Sequence, residues 1–147
     1  MSVLAVNKRA NFEYEILEKF EAGLSLLGHE VKSAKGGHVQ LKGAYVTITR
    51  GAPTILNMHI SAYPKAGPLP SYNPTRTRLL LLKQREINYL TGKKQEQGLA
   101  LIPLRVYTKR NRVKLEFGIG RGKKKFDKRA DIKKKDVKRD LRRKFAV

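Results

Sequence analysis

The chain has 147 residues, with 33 Lys and Arg against 12 Asp and Glu and a formal net charge of +21 at pH 7. It has no cysteine, which excludes disulfides, thiolate zinc sites, iron–sulfur clusters and a thiol nucleophile. Its apolar runs are far shorter than a membrane span, and its start lacks the charged lead of a secretory signal. A cytoplasmic protein without membrane contacts is therefore expected.

The positive charge is spread over two segments of different composition. Residues 121–147 contain 14 Lys and Arg, four Asp and few apolar side chains. Such a segment buries too little surface to offset the entropy lost on ordering, so we predict a tail that is disordered in the free protein. Residues 1–120 are also basic and are long enough to fold as one body. Because this charge density is costly without a polyanion, nucleic acid is the expected partner.

The first elements in chain order are a short lead and a helix. Residues 1–6 are predicted to form either a strand or a disordered lead. Asn11 offers an N-cap and Gly23 a stop, so residues 11–23 are predicted to form an amphipathic helix. Apolar side chains recur four residues apart within it, at Phe12, Ile16 and Phe20. Residues 24–31 then favour a strand.

Two β segments and a long connection follow. Residues 39–48, interrupted by Gly43, and residues 54–62 are rich in residues that favour strands. Residues 63–73 contain three prolines and are too long for a tight hairpin, so they are predicted to cross the body or to form a mobile loop.

The last part of the body predicts a helix and a hairpin. Residues 75–91 are flanked by a proline suited to a helix start and a glycine suited to a helix end. Residues 99–107 and 112–119 alternate as strands around the turn at residues 109–111. Helices among short antiparallel strands predict a mainly β fold, a small barrel with peripheral helices.

The residues give little support to catalysis or to a metal site. His29, His38 and His59 are scattered without ligand spacing, so ordinary surface or core histidines are expected. The glycine-rich residues 118–123 have the wrong spacing for a phosphate-binding or a dinucleotide-binding loop, and are interpreted as a flexible exit from the last strand. We expect no catalytic residue and no cofactor.

Aromatic side chains are candidate stacking faces for RNA bases. For most of them core burial is the favoured interpretation, and Phe126 is the exception because its neighbours are charged. The candidates are Phe12, Tyr14, Tyr45, Tyr63, Tyr72 and Phe126. In the tail, apolar residues fall four apart, which predicts a helix formed only against RNA. These residues are Val137, Leu141 and Phe145.

Five short segments, in order along the chain, resemble the small protein B (SmpB) family. They are Asn7–Ala10, Phe20–Leu24, Gly28–Ser33, Pro74–Arg78 and Gly122–Arg129. The resemblance covers essentially the whole chain, and several separate motifs make it more specific than a basic patch alone.

This resemblance implies a fold and a function. The fold is an oligonucleotide-binding (OB)-like antiparallel β-barrel with peripheral short helices, over residues 1–120, and a basic tail that becomes helical on the ribosome. The function is that of a monomeric trans-translation factor without enzymatic activity. It binds the tRNA-like domain of transfer-messenger RNA (tmRNA) and, with elongation factor Tu, delivers it to stalled ribosomes. The tail enters the vacant mRNA channel, next to small-subunit rRNA at the decoding centre.

The resemblance also implies site residues. Those implied to contact tmRNA are Asn7, Lys8, Arg9, Glu21, Leu81, Lys83 and Lys114. Those implied to sense the ribosome are Gly122, Lys123, Lys124, Lys125, Phe126, Asp127, Lys128, Arg129, Lys133, Lys134, Lys135 and Lys138. Because a carboxylate repels phosphate, Glu21 on an RNA face has to accept hydrogen bonds from base or ribose, or orient a neighbouring Arg. A helix-end residue that satisfies backbone groups is the equal alternative.

Three positions depart from the family pattern. Leu79 stands where the family usually has Lys, Lys83 where Asn or His is common, and Val137 where some members have Trp. The predicted helix over residues 75–91 and the tail therefore lack these three side chains of the family pattern. The alternative function is a structural ribosomal protein whose basic extension threads through rRNA, and an RNA-modifying enzyme ranks third.

Overall fold

A computed structural model describes residues 1–123 of the chain. This part is mainly β. The strands are β1 (Ser2–Val6), β2 (Tyr14–Leu24), β3 (Val39–Gln40), β4 (Tyr45–Thr49), β5 (Ala52–Leu56), β6 (His59–Ile60), β7 (Arg78–Leu81), β8 (Leu99–Lys109) and β9 (Arg112–Gly122). The helices are α1 (Ala10–Glu13), α2 (Gly28–Lys35) and α3 (Gln84–Lys94), with a 3-10 turn at Pro64–Ala66.

The large sheet is antiparallel and strongly curved. Its strand order is β1-β8-β9-β2-β7-β5-β4, while β3 and β6 form a separate pair. β4 packs close to β8, although the two are far apart in the strand order, so the sheet bends back on itself. The predicted mainly β fold class with short peripheral helices is confirmed. Within residues 1–123 the sheet does not close into a complete barrel, because β1 and β4 remain its edge strands.

The hairpin of β8 and β9 is the longest pairing, and its prediction is confirmed. Arg110 and Asn111 at its tip have φ of 50° and 65°, as in the two-residue turns whose twist matches that of paired strands. The predicted flexible exit at residues 118–123 is wrong over most of its length, since β9 continues to Gly122. A Cβ at Gly118 would lie 2.7 Å from the carbonyl oxygen of Glu18, so glycine permits the close pairing of β9 with β2.

The core lies inside the curved sheet. Ile55, Leu80 and Phe117 are among its fully buried side chains. A second, smaller apolar cluster joins Ala10 of α1 to Ile102 and Leu104 of β8. Because Leu101 belongs to the main core while its neighbours belong to the second cluster, this part of β8 is covered on both faces.

The helix predicted over residues 11–23 is wrong. Only α1 is helical, and β2 begins at Tyr14. The spacing of four that predicted the helix also fits a strand, because four is a multiple of the strand period of two. Pairing of β2 with β9 along nearly its whole length decided between the two.

The strand predicted over residues 24–31 is also wrong, because α2 starts at Gly28. The N-cap residue is Leu27, which lacks the side-chain oxygen that usually marks a helix start. Its amide instead donates to Oε1 of Glu30 at 2.8 Å.

The helix predicted over residues 75–91 is wrong for its first part and confirmed from Gln84 onward. The segment forms β7 first, and α3 begins only at Gln84. The amide of Lys83 donates to Oε1 of Glu86 at 3.2 Å, which starts α3 without a typical N-cap side chain.

The remaining secondary-structure predictions for residues 1–123 agree with the structure. Residues 1–6 contain a strand, the two β segments after residue 39 form β3 to β6, and residues 63–73 form a connection with one 3-10 turn. No helix within residues 1–123 is long and apolar enough to span a membrane.

Candidate nucleic-acid interface

Four of the predicted RNA contacts lie on one concave surface. Glu21, Leu81, Lys83 and Lys114 line a depression of about 670 Å³. Strand pairing explains the grouping, since Gly23 of β2 lies opposite Leu81 of β7 on one side and Lys114 of β9 on the other. We call this depression the β2–β7 surface.

The β2–β7 surface combines exposed apolar side chains with cations. Leu79 and Leu81 are 44% and 54% exposed, although both are large and apolar. A Cβ at Gly23 would lie 3.1 Å from the Cβ of Leu81, so the glycine keeps the surface open beside this leucine. Apolar side chains next to Lys83 and Lys114 suit a ligand that has flat apolar faces and negative charge, as nucleotides have.

Glu21 is held by two neighbours on β8. Its carboxylate accepts hydrogen bonds from the hydroxyl of Tyr107 and from Nζ of Lys109, the latter at 3.4 Å. The Tyr107 hydrogen bond is the main cause of a lowered pKa of Glu21; partial burial opposes it, and Lys109 and Lys114 add to it. Glu21 lies within β2, so the helix-end alternative is wrong, and the groups that it orients are a tyrosine and a lysine.

A row of side chains beside Glu21 was not predicted from the sequence. Arg105 pairs with Glu116 at 3.2 Å and lies 4.8 Å from the ring centre of Tyr107. Burial, followed by the hydrogen bond to Glu21, raises the pKa of Tyr107. The row consists of every second residue at the end of β8: Arg105, Tyr107 and Lys109. Because residues two apart on a strand share a face, this spacing was the signal in the sequence that could have predicted the row.

The other three predicted tmRNA contacts lie in a different place. Asn7, Lys8 and Arg9 line a groove of about 870 Å³, which we call the seam groove because it lies between β4 and β8. Its lining residues are Val6–Arg9, Glu13, Tyr14, Lys42–Thr47, Lys94 and Leu99–Pro103. The seven predicted contacts therefore fall into two groups, of four and of three.

Within the seam groove, Asn7 has a structural role. Its Nδ2 donates to the carbonyl of Pro103 at 2.8 Å, and its backbone amide donates to the carbonyl of Leu104 at 2.8 Å. These bonds fix the chain after β1 onto β8. The side chain of Arg9 is 74% exposed and lies 3.8 Å from Glu13, so it remains accessible to a ligand.

A buried ionic cluster occupies the interior beside α2. Glu30 and Arg78 are both 0% exposed, and Nη2 of Arg78 lies 2.5 Å from Oε2 of Glu30. Nε of Arg76 and the hydroxyl of Tyr72 also donate to Oε2, at 3.1 Å and 2.9 Å. Burial alone would raise the pKa of Glu30, but hydrogen bonds from Arg76, Leu27, Arg78 and Tyr72 outweigh it and lower the pKa to about 2.

This cluster joins α2 to β7 and to the connection before it. Arg78 also donates to the carbonyls of Met58 and of Pro74, the latter at 2.9 Å. The hydroxyl of Tyr72 lies 2.9 Å from the carbonyl oxygen of Ile60 and also bonds to Glu30. This candidate stacking residue is therefore held inside the cluster. The charges in two of the motifs that resemble the SmpB family thus stabilise the fold.

Two of the predicted ribosome-sensing residues lie at the end of the described part of the chain. Gly122 pairs with Tyr14 as the last residue of β9, and the amide of Lys123 donates to the carbonyl of Glu13 at 2.9 Å. The other predicted residues fall outside the described part. They are Lys124, Lys125, Phe126, Asp127, Lys128, Arg129, Lys133, Lys134, Lys135 and Lys138, and the predicted transition of the tail also concerns residues outside it.

The histidines do not form a metal site in the described part of the chain. Within residues 1–123, no group of three His, Asp or Glu side chains is placed to hold a metal ion. The ring of His29 packs edge-on against Tyr72 at 4.6 Å between ring centres.

Comparison with known proteins shows which protein family the chain is similar to. The family model described as SmpB protein matches residues 4–147. The SsrA-binding protein of Gloeobacter violaceus is 50% identical over 141 residues, covering 96% of this chain and 92% of the relative. The SsrA-binding protein of Bacillus licheniformis is 47% identical over 143 residues, covering 97% and 90%.

A solved structure agrees with these relatives. One chain of a structure described as "tmRNA-SmpB: a journey to the center of the bacterial ribosome" superposes with a TM-score of 0.67 and 40% identity. The match covers 82% of this chain and 84% of that chain. Together with the family match over nearly the whole length, this shows that the chain belongs to the SmpB family.

Proposed function

We propose that this chain is an RNA-binding factor of trans-translation, which binds the tRNA-like domain of tmRNA and delivers it to stalled ribosomes. The observation that carries the proposal is the β2–β7 surface. It gathers Glu21, Leu81, Lys83 and Lys114 from distant parts of the sequence into one depression. The relatives named SsrA-binding proteins and the tmRNA–SmpB structure support the same assignment.

Residues 1–120 act as the RNA-binding body. Lys83 and Lys114 attract phosphates, while Leu79 and Leu81 provide apolar contact with sugar or base. Leu79 stands where the family usually has Lys, so this position contributes contact area in place of charge. Glu21, held by Tyr107 and Lys109, has lone pairs that accept hydrogen bonds from ribose or base.

Residues 121–147 act as a sensor of vacancy. Their excess of positive charge attracts them to the rRNA that lines the mRNA channel, but translating mRNA fills that space. Only a stalled ribosome with an empty channel admits the tail, next to the decoding centre. Vacancy itself is the signal, so the chain needs no catalytic step and no cofactor.

The proposal includes the setting of the protein. The chain acts as a monomer in the cytoplasm and meets elongation factor Tu through the shared tmRNA complex. A structural ribosomal protein is the alternative, and it would be built permanently into one subunit. The factor instead joins ribosomes transiently and co-purifies with one discrete RNA.

The first test identifies the RNA that co-purifies with the full chain at moderate salt. We expect sequencing to return one enriched species with a tRNA-like domain. Assorted RNA without such enrichment, or rRNA of one subunit alone, would contradict the proposal.

The second test removes residues 123–147. We expect the shortened chain to bind tmRNA with unchanged affinity, because both described surfaces remain, and to lose peptide tagging on stalled ribosomes. Tagging at the normal rate would show that the tail is not the sensor. Circular dichroism of both chains checks that the body keeps its fold.

A further inference from the structure

The seam groove has features of a second binding site. It is larger than the β2–β7 surface, about 870 Å³ against about 670 Å³, and lies within the ~300–1,000 Å³ range of ligand pockets. Its apolar floor is formed by the half-buried Leu99 and Ala100 of β8, and Val6 lines the same groove with 55% of its surface exposed. A floor of this kind suits a flat apolar group.

The rim of the groove is positive. Lys8, Arg9, Lys42 and Lys94 line it, and the acidic Glu13 is already within 3.8 Å of Arg9. Nζ of Lys94 donates to the side chain of Thr47 and lies 3.4 Å from the carbonyl of Ile48, so its charge is held at the rim. The rim is thus complementary to phosphate.

An exposed aromatic side chain lines the groove together with these cations and apolar residues. Tyr45, the first residue of β4, is 47% exposed and lines the groove. Core burial was the favoured interpretation for this residue, and the structure contradicts it. An exposed tyrosine between cations is the arrangement on which unstacked bases are bound in single-stranded RNA sites.

The groove also borders an open strand edge. β4 is an edge strand of the sheet within residues 1–123, so it presents backbone donors and acceptors on one side. Such groups can bind the polar edge of a base that has left its pair.

We propose that the seam groove takes one unpaired nucleotide of the tRNA-like domain of tmRNA. The base lies against Tyr45 over the apolar floor, and its flanking phosphates lie at Lys42 and at Lys8 and Arg9. The inference rests on the proposed function for the identity of the RNA. It adds a contact for unpaired RNA to the contacts proposed at the β2–β7 surface.

The experiment measures binding of the full chain to a single-stranded RNA hexamer that carries the fluorescent base 2-aminopurine. We expect the hexamer to bind, and the Tyr45→Ala substitution to weaken it about tenfold through lost stacking. Tyr45→Phe keeps the ring and should restore most of the affinity. The matched control is Tyr89→Ala, which removes a 42% exposed tyrosine outside the groove and should change binding less than twofold.

A competition arm tests the source of the nucleotide. An unlabelled tRNA-like fragment of tmRNA should displace the hexamer from the wild-type chain. The inference is overturned if Tyr45→Ala binds the hexamer like the wild type, or if saturating tmRNA fragment leaves the hexamer bound. It is also overturned if the chain binds tmRNA but does not bind the hexamer. That result is expected if residues 124–147 or a second copy of the chain fill the groove. Failure to bind tmRNA itself would instead refute the proposed function.

Discussion

Two glutamates with cationic partners show how burial separates a charge that is satisfied inside the fold from one that stays accessible. Glu30 is fully buried and is bound by Arg76, Arg78 and Tyr72, so its charge is satisfied within the protein. Glu21 is bound by Tyr107 and Lys109, but its side chain is 38% exposed. Both glutamates lie in segments that resemble the SmpB family, and only the second one can also reach a ligand.

A charged motif therefore does not identify an RNA contact by itself. A buried ion pair is costly to break, because the remaining charge is left without water or a partner. An exposed pair contributes little to stability, since water solvates both partners, and it stays available for recognition.

The largest expected effect is the loss of stability on substitution Glu30→Gln. The change leaves Arg78 buried without its counter-charge, which should reduce the free energy of unfolding by ~3–5 kcal/mol. Urea denaturation measures it. The control is Glu96→Gln, which removes the carboxylate of the exposed pair with Lys93 and should change the curve little. Equal effects of the two variants would contradict the structural role of the cluster.

A change of pH should sharpen the same contrast. The pKa of Glu30 is lowered from 4.5 to about 2 in the folded state, so its carboxylate stabilises the fold above pH 4.5. This stabilisation should be lost as pH falls from 4.5 through about 2. The difference between wild type and Glu30→Gln in denaturation experiments should therefore shrink toward low pH. A constant difference from pH 6 to pH 2 would show that the carboxylate is not the stabilising species.

A substitution at Glu21 should affect RNA binding more than folding. If the carboxylate accepts hydrogen bonds from RNA or positions Lys109, Glu21→Gln should weaken tmRNA binding about tenfold. This factor corresponds to the loss of one hydrogen bond to a charged group, ~1.5 kcal/mol. If it only repels phosphate, the same change tightens binding. Filter binding at fixed salt decides, with Glu15→Gln as a control that removes the same charge elsewhere on β2.

The smallest effect is expected at the pair of Arg105 and Glu116, whose side chains are 32% and 20% exposed. A double-mutant cycle with Arg105→Gln and Glu116→Gln should give a coupling of ~0.2–1 kcal/mol in unfolding. A coupling of ~3–5 kcal/mol, the loss expected on breaking the buried Glu30 cluster, would show that the exposed pair and the buried cluster do not differ in strength.

Much of the architecture was predictable from local patterns. The hairpin of β8 and β9 was predicted because two β segments flank a polar turn at residues 109–111. The mainly β class and the long connection before β7 were found for similar reasons. The four residues on the β2–β7 surface were predicted as RNA contacts from the resemblance to the SmpB family, but their grouping was visible only in the fold.

The errors have two physical causes. Apolar residues four apart at Phe12, Ile16 and Phe20 fit a helix and a strand equally well, so pairing partners decided the outcome. The starts of α2 and α3 lack polar N-cap side chains, because a Glu three residues on binds the amide of Leu27 or Lys83 instead. Arg78 was not predicted in the core, since only tertiary packing brings Glu30 to it.

The sequence by itself determined the charge of the chain, the absence of thiol chemistry, the longest hairpin and the family resemblance, because each of these depends on residue type and local order. The tertiary structure decided which charges are buried and which face solvent. It also decided that seven predicted contacts divide between two surfaces and that β4 and β8 enclose a groove lined by Tyr45. These properties depend on contacts between residues far apart in the chain, and no local pattern encodes them.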